Sequence, residues 1–330
     1  MRLHRRWIAL SRWSGQFDPR PLLERGPLET QQDLSGLPPG LVRDLREATD
    51  FVEDSVDDDI PAEVRRIDQE DYPRALLDLS EPPALLWGRG NWSLLDDPTV
   101  AVVGSRACTG YGRSVASGLG AAAARDGIVV VSGAARGIDR AAQTGALDAG
   151  GGSVGVLGAG LGARVASTAR ALLDRLAGQG LLLSELPPDH PPTRFTFPRR
   201  NRIIAALARA TVVVEAARRS GALHTANAAN RLGRPLFAVP GPIDAPASAG
   251  CLRLLAQGAH VVTRLEDVLV AVRPADGGTA ALLGQLDQPR SLGELALSLG
   301  APPREILGAL VALELTGGIR RLPDHRYVRV

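Results

Sequence analysis

Val100-Ala101-Val102-Val103-Gly104-Ser105-Arg106 and Ile128-Val129-Val130-Val131-Ser132-Gly133-Ala134-Ala135-Arg136-Gly137-Ile138-Asp139 decide the fold. Each begins as a short, β-branched apolar run, the pattern of a strand buried on both faces. Each run ends in a junction carrying Ser, Gly and Arg, and a helical segment running to about Ala124 lies between the two. Strand, crossover helix and strand make a parallel pair. In an open parallel sheet the strand-to-helix junctions share the carboxyl edge, where ligands bind. Glycine lets backbone approach a phosphate, helix N-termini present N–H groups, and arginine adds a planar fork of donors. Gly104, Ser105, Arg106, Gly133 and Arg136 are therefore candidates for holding an anionic ligand, the alternative being two ordinary turns with solvated arginines.

The same alternation continues outward. Strands are predicted at 100–103, 128–131, 154–157, 181–184, 211–215, 235–239 and 260–263, with helical stretches of about ten residues between them. Such alternation predicts an α/β fold: a parallel sheet with helices on both faces. Upstream, residues 84–87 add a strand at the sheet edge, and Trp87 and Trp92 read as core or as stacking surfaces. Residues 1–60 read as an eroded helical region closed by an acidic linker (Glu53, Asp54, Asp57, Asp58, Asp59), a solvated run rather than a carboxylate site. After Arg273, Pro274-Ala275-Asp276-Gly277-Gly278 reads as a second linker. The tail 279–330 then reads as three helices and a hairpin, the order of a winged helix. Ser291 and Glu294 form a capping box, Pro302-Pro303 opens the next helix, and the hairpin folds around Pro323-Asp324. Arg304 alone supplies positive charge to the third helix, so this tail suits a protein contact at least as well as DNA. The expected units are 1–60, 61–273 and 274–330.

Composition narrows the chemistry. With 45% hydrophobic residues in 330 the chain is globular, and it has no apolar run of about 20 residues to span a membrane. Trp7 to Trp13 is too short and polar for a signal segment, so a cytoplasmic protein is expected. Cys108 and Cys251 form no CxxC pair, which supports neither a zinc site nor a disulfide framework. All 38 basic residues are arginine. That removes a Walker lysine, a Schiff-base lysine and a kinase lysine, and leaves bidentate grip and stacking as the available cationic chemistry. The net charge of +2 neither demands nor excludes nucleic acid.

Three further junctions carry polar residues. Gly158-Ala159-Gly160-Leu161-Gly162-Ala163 satisfies GxGxxA, and Glu185 follows at the end of the next strand, as in a dinucleotide site. It sits on the third strand rather than the first, and no catalytic pair accompanies it. A nucleotide- or dinucleotide-binding enzyme using this loop is the alternative reading. Phe195-Thr196-Phe197-Pro198-Arg199-Arg200-Asn201-Arg202 places three arginines in the first turn of a helix. Positive charge there opposes the helix dipole unless an anion relieves it. That anion is either a ligand or a carboxylate of the chain itself, Glu185 or Glu215. Finally, Ser220 caps a helix that follows Arg218 and Arg219, Gly221 permits close approach, and His224 has no evident catalytic partner. Backbone nests and arginines without a nucleophile–base pair suit binding of a phosphodiester chain.

Together these residues resemble the DNA-processing protein A family (DprA, also called Smf). The resemblance rests on Val103-Gly104-Ser105-Arg106 with Tyr111-Gly112, and on Ser132-Gly133 through Ile138-Asp139. It continues in Phe197-Pro198 with Arg200-Asn201-Arg202-Ile203-Ile204, in Glu215 with Ser220-Gly221 and Thr225-Ala226, and in Phe237-Ala238-Val239-Pro240-Gly241. Gly250, Leu255 and Gly258-Ala259 extend it, as do Tyr72-Pro73, Pro82-Pro83 and Gly90-Asn91 upstream. The resemblance implies a homodimer that binds single-stranded DNA and loads a RecA-type recombinase during natural transformation and recombination, with no enzymatic turnover and no cofactor. It also implies an extended Rossmann-like domain with Arg106 in its basic DNA pocket; the nucleic-acid face expected from the junctions comprises Gly104, Ser105, Arg106, Gly133, Arg136, Arg199, Arg200, Asn201, Arg202, Ser220, Gly221 and Thr225. The chain departs from the family pattern at Gln143, usually His, at Val165-Ala166 and Ala169, usually Tyr-Pro and Asn, and at His224, usually aliphatic.

Overall fold

In the computed structural model, residues 2–48, 51–53, 63–164, 166–272, 282–299 and 303–330 are described. The acidic residues Asp54, Asp57, Asp58 and Asp59, the linker 274–278, Thr279, Pro302 and Val165 lie outside them.

A nine-stranded sheet organises the chain. Its members are β3 (Glu63–Arg66), β4 (Leu85–Gly90), β5 (Thr99–Val103), β6 (Val129–Ser132), β7 (Ser153–Val156), β8 (Leu181–Ser184), β9 (Ala210–Val213), β10 (Leu236–Ala238) and β11 (His260–Val261), in the order β11-β10-β9-β5-β6-β7-β8-β4-β3. The run from β11 to β8 is parallel, whereas β4 joins β8 antiparallel and β3 joins β4 antiparallel. The chain winds outward from β5 to β8 and then returns to β9 on the other side of β5, so β5 and β9 flank the topological switch point. The expected α/β sheet is therefore present, and the predicted edge strand at 84–87 is β4, itself covered by β3.

Helices α4 (Gly110–Arg125), α5 (Ile138–Asp148) and α6 (Ser167–Gln179) follow β5, β6 and β7, whereas α7 (Thr196–Leu207), α8 (Ala222–Arg231) and α9 (Ala249–Ala256) follow β8, β9 and β10. The two sheet faces carry separate cores. Val100, Val102, Val130 and Val212 pack with Ala116, Leu119 and Ile138 of α4 and α5. Ala101, Val103, Val131 and Val213 pack with Ile203, Ile204, Ala226 and Leu254 of α7, α8 and α9. Alternate residues of each strand thus serve opposite layers, which is why the strands read as unbroken apolar runs. Trp92 joins the second of these cores and Trp87 that of the N-terminal region, both in the interior, so neither offers a stacking surface.

Residues 2–48 are more regular than their pattern suggests, and β1 (Arg2–His4) pairs antiparallel with β2 (Phe51–Glu53). The helices α1 (Arg5–Arg12), α2 (Arg20–Leu23) and α3 (Pro39–Glu47) gather Trp7, Leu10, Leu22, Leu41 and Leu45 against Leu85 and Trp87 of β4. Arginines between those apolar positions conceal the helical period of α1. At the other end, α11 (Leu292–Leu299) and α12 (Pro303–Leu315) pack with the hairpin of β12 (Ile319–Arg321) and β13 (Tyr327–Arg329) around Leu295, Leu310 and Tyr327. Ser291 and Glu294 form the expected capping box, with Ser291 N donating to Glu294 Oε2 at 2.8 Å and Glu294 N to Ser291 Oγ at 3.3 Å.

The two cysteines differ in environment. Cys108 is partly accessible, whereas Cys251 is fully enclosed, its sulfur 3.5 Å from the Val213 carbonyl and its thiol pushed up to about 12 by burial. Only the thiolate attacks disulfides. Ellman's reagent is therefore expected to titrate one thiol in the native protein and two in guanidinium; two fast-reacting native thiols would contradict this packing.

Candidate nucleic-acid interface

The β5–α4 and β6–α5 junctions meet at the carboxyl edge and brace each other. Ser105 N donates to the Glu215 carbonyl at 2.7 Å and Ile138 N to the Ser105 carbonyl at 3.1 Å. Gly137 has φ of 93° and lies so close to the backbone of residues 105–106 that a β-carbon there would overlap it. Glycine is required at that point on both grounds.

The switch point itself is filled. Glu215, at the end of β9, is buried; its carboxylate accepts from Thr109 N at 2.9 Å and Thr109 Oγ1 at 2.5 Å, and Gly112 packs against it. This carboxylate anchors the start of α4. The Gly158 loop is likewise occupied. Gly160 N donates to the His190 carbonyl and Gly162 N to the Pro188 carbonyl, both at 2.9 Å, while Gly158 lies against Phe197 and its carbonyl accepts from Thr196 Oγ1 at 2.6 Å. The fingerprint glycines thus seat the start of α7, and the amides a dinucleotide would need from Gly160 and Gly162 are engaged. Glu185 is also engaged, as a partner of arginines rather than of a ribose.

Arg106 is exposed, and its guanidinium carbon stands 5.0 Å from the centre of the Phe197 ring. Arg136, also exposed, donates from Nε to the Arg106 carbonyl at 3.2 Å. Among the described residues neither arginine forms an ion pair with a carboxylate. Nearby, Phe195 is 68% exposed with Arg194 over its ring at 4.6 Å. Two aromatic–arginine pairs therefore stand at the start of α7 and the β5 junction, flat surfaces of the kind on which bases stack.

The three arginines of the α7 turn are arranged otherwise. Arg200 is 4% exposed, and its Nη1 donates to the Gly133 carbonyl at 2.9 Å while Asp139 accepts from Gly133 N at 3.1 Å. The two peptide groups flanking one residue, Gly133, are thus held by opposite partners. Burial raises the Asp139 carboxyl and lowers Arg200 to about 10, so the guanidinium stays charged near neutral pH. Arg202 Nη2 lies 2.7 Å from Glu185 Oε2 and Arg199 Nε 3.8 Å from Glu185 Oε1; the same carboxylate accepts from Ser14 Oγ of the N-terminal region. The anion these arginines call for is supplied by the chain, and because α7 begins at Thr196 rather than at Pro198, Arg202 falls in its second turn instead of its first. The expectation that Arg199, Arg200 and Arg202 face a nucleic acid is corrected accordingly: their spacing set a shared face, but that face looks inward.

The remaining candidates divide. Asn201 Nδ2 donates to the Gly221 carbonyl at 3.1 Å, tying α7 to the start of α8, and Ser220 Oγ accepts from Ala222 N at 3.4 Å. Gly221 is exposed beside Arg218 and Arg219. Thr225 is 1% exposed, which withdraws it from any ligand contact. Gly133 is buried under Arg200, and Gly104 packs against Ile138 and the Glu215 carbonyl. Both shape the edge through backbone approach. Gln143, buried, accepts from Ala134 N and donates to the Val154 carbonyl, each at 3.1 Å, which holds Ala134 at φ of 52°. Sequence reasoning missed Arg113 and Arg140, which line one cleft with Arg106 and Arg136; each directly follows a motif at its helix start (Tyr111-Gly112 and Ile138-Asp139) but belongs to none.

The chain matches the family model for DNA recombination-mediator protein A over residues 63–273 and that for the DprA winged helix domain over residues 271–325. A Mycobacterium tuberculosis protein carrying the DprA name is 41% identical over 257 residues, 71% of this chain and 66% of that relative's length. The solved DNA processing protein A of Streptococcus pneumoniae superposes with a TM-score of 0.71 at 33% identity, covering 83% of this chain and all of that one. The Helicobacter pylori protein, whose structure is described in terms of its single-stranded DNA binding mode, gives a TM-score of 0.58 at 30% identity over 63% of this chain and 94% of that one.

Proposed function

From the premise that the chain belongs to the DNA recombination-mediator protein A family, we propose that it binds single-stranded DNA along the carboxyl edge of its sheet and delivers that strand to a RecA-type recombinase. Arg106 carries the reading. It is exposed, free of carboxylates among the described residues, stacked on Phe197 and braced beside Arg136. A guanidinium over a ring grips a phosphate while the same ring offers a face to a base. The bound strand runs past Arg106 and Arg136 toward the loop of Arg218, Arg219, Ser220 and Gly221. Gly104, Ser105, Gly133, Arg200 and Asn201 set the shape of that edge. The protein acts as a mediator rather than a catalyst, in DNA uptake and recombination.

We read the chain as three units, 1–60, 61–273 and 274–330, that pair into a homodimer in the cytoplasm; among the described residues no helix is long and apolar enough to cross a membrane. The last unit favours a protein contact, since Leu297, Leu307 and Val311 are exposed on α11 and α12. A titration of labelled oligo(dT) against a hairpin duplex, repeated over a range of salt, tests the reading. The single strand is expected to bind more tightly, with affinity falling log-linearly as salt rises. Equal affinity for the duplex, or no binding at low salt, would remove the proposal.

A further inference from the structure

Beyond Arg106 the carboxyl edge opens into a cleft of about 610 Å³ between α4 and α5. Its wall on one side is Arg106 and, from α4, Arg113 and Ser117; on the other stand Arg136, Arg140 and Thr144. No residue lining it is acidic, and among the described residues none of its four arginines forms an ion pair. Both helices point their N-termini into this end of the molecule, so the amide dipoles add to the arginine charge instead of offsetting it. Like charges gather this closely without counter-charge only at a cost, which an anion removes.

The cleft is also built. Deeper along the two helices a β-carbon on Gly120 would overlap the Ala142 carbonyl, and one on Gly145 the Ser117 carbonyl. The axes therefore approach closely below and part toward the arginines. Arg140, which lines the cleft, is tied down by its Nη2, which donates to the Thr168 carbonyl of α6 at 2.5 Å, and among the described residues its buried Nε has no partner. Arg113 is exposed on the opposite wall. Hydroxyls of Ser117 and Thr144 lie between them, suited to phosphate or sugar oxygens.

We infer that this cleft is a second phosphate-binding tract, in which Arg113 and Arg140 hold the single strand after it leaves Arg106 and Arg136. The inference rests on the single-strand reading above, and it extends the strand's path: from the loop of Arg218 to Gly221, past Arg106 and Arg136, and on between α4 and α5. A strand of about four nucleotides is held at Arg106 alone, whereas one of about twelve reaches the cleft, both within the range of single-strand site sizes.

The test compares (dT)4 and (dT)12 on the full chain carrying Arg113→Ala with Arg140→Ala, on Arg113→Glu alone, and on Arg106→Ala. Arg113 makes no side-chain bond to the described chain, so the single charge reversal keeps the test open should the double variant fold poorly. For the double variant, (dT)12 affinity is expected to fall about tenfold and its salt slope to shrink by about 1.4, two single-strand phosphates' worth, with (dT)4 unchanged. Arg113→Glu is expected to move (dT)12 in the same direction. Native (dT)12 binding by both cleft variants, with Arg106→Ala still weakened, would overturn the cleft and leave the single-strand reading intact. Equal weakening of both lengths would overturn it too, because a strand confined to Arg106 cannot sense the cleft. Native binding by all three variants would overturn the reading on which it rests.

Discussion

Replacing Glu185 by alanine is expected to lower the stability of the fold by about 3–5 kcal/mol, the cost of stranding buried charge after one partner is removed. The Glu185 side chain is 2% exposed, and those of Arg202 and Arg199 only 13% and 19%. Two guanidinium groups already share one carboxylate, and among the described residues Arg199 Nε, Arg202 Nε and Arg202 Nη1 have no hydrogen-bond partner. Without the carboxylate, both cations would lie close together within the first two turns of α7, mostly buried and without an anion, against Ser14 and Gly15. For a domain of this size the loss corresponds to a fall in Tm of about 10 °C. Glu185→Gln, which keeps an acceptor for Ser14 and Arg202 but no charge, is expected to fall between alanine and native. Arg199→Met is expected to cost little, since it removes surplus charge. Thermal unfolding by circular dichroism decides the matter, and a Glu185→Ala protein melting within a degree or two of native would refute this account of α7.

Much of this was legible in advance, and the limit has a physical form. The parallel strands β5, β6, β8, β9 and β10 were readable because each serves cores on both faces and so carries an unbroken apolar run. The gathering of polar junctions on one edge followed from parallel winding alone. What the pattern could not supply was the direction in which a polar face looks. Arg199 and Arg202 share a face by helical spacing, but whether it meets solvent depends on Glu185, 17 residues from Arg202, and on Ser14, 171 residues from Glu185. Similarly, Gly158-Ala159-Gly160 reads as a phosphate loop until residues 187–190 are seen to occupy it. The N-terminal core was hidden because its apolar positions are interleaved with arginines. Arg113 and Arg140 went unremarked because each is an ordinary helix-surface arginine, and only the packing of α4 on α5 brings them opposite each other.

Arg106 is the candidate that changed least between sequence and structure, and Arg106→Ala is expected to have the largest effect on binding. A charge-assisted hydrogen bond to phosphate contributes about 1.5–3 kcal/mol, so single-strand affinity is expected to fall about 10- to 100-fold. The slope of log affinity against log salt should shrink by about 0.7, one single-strand phosphate. The fold should be indifferent: the side chain is exposed and its guanidinium makes no hydrogen bond within the described chain, so stability should move by no more than about 0.5 kcal/mol. Separating charge from shape makes the prediction sharper. Arg106→Lys keeps the charge and hence the salt slope, but loses the planar contact with Phe197 and the bidentate grip, so affinity should fall less than for alanine. Phe197→Ala should show the converse, a full slope with weakened binding, because base stacking is lost while the phosphate contact remains. A folded Arg106→Ala protein with native affinity at two salt concentrations would place the strand elsewhere on the molecule.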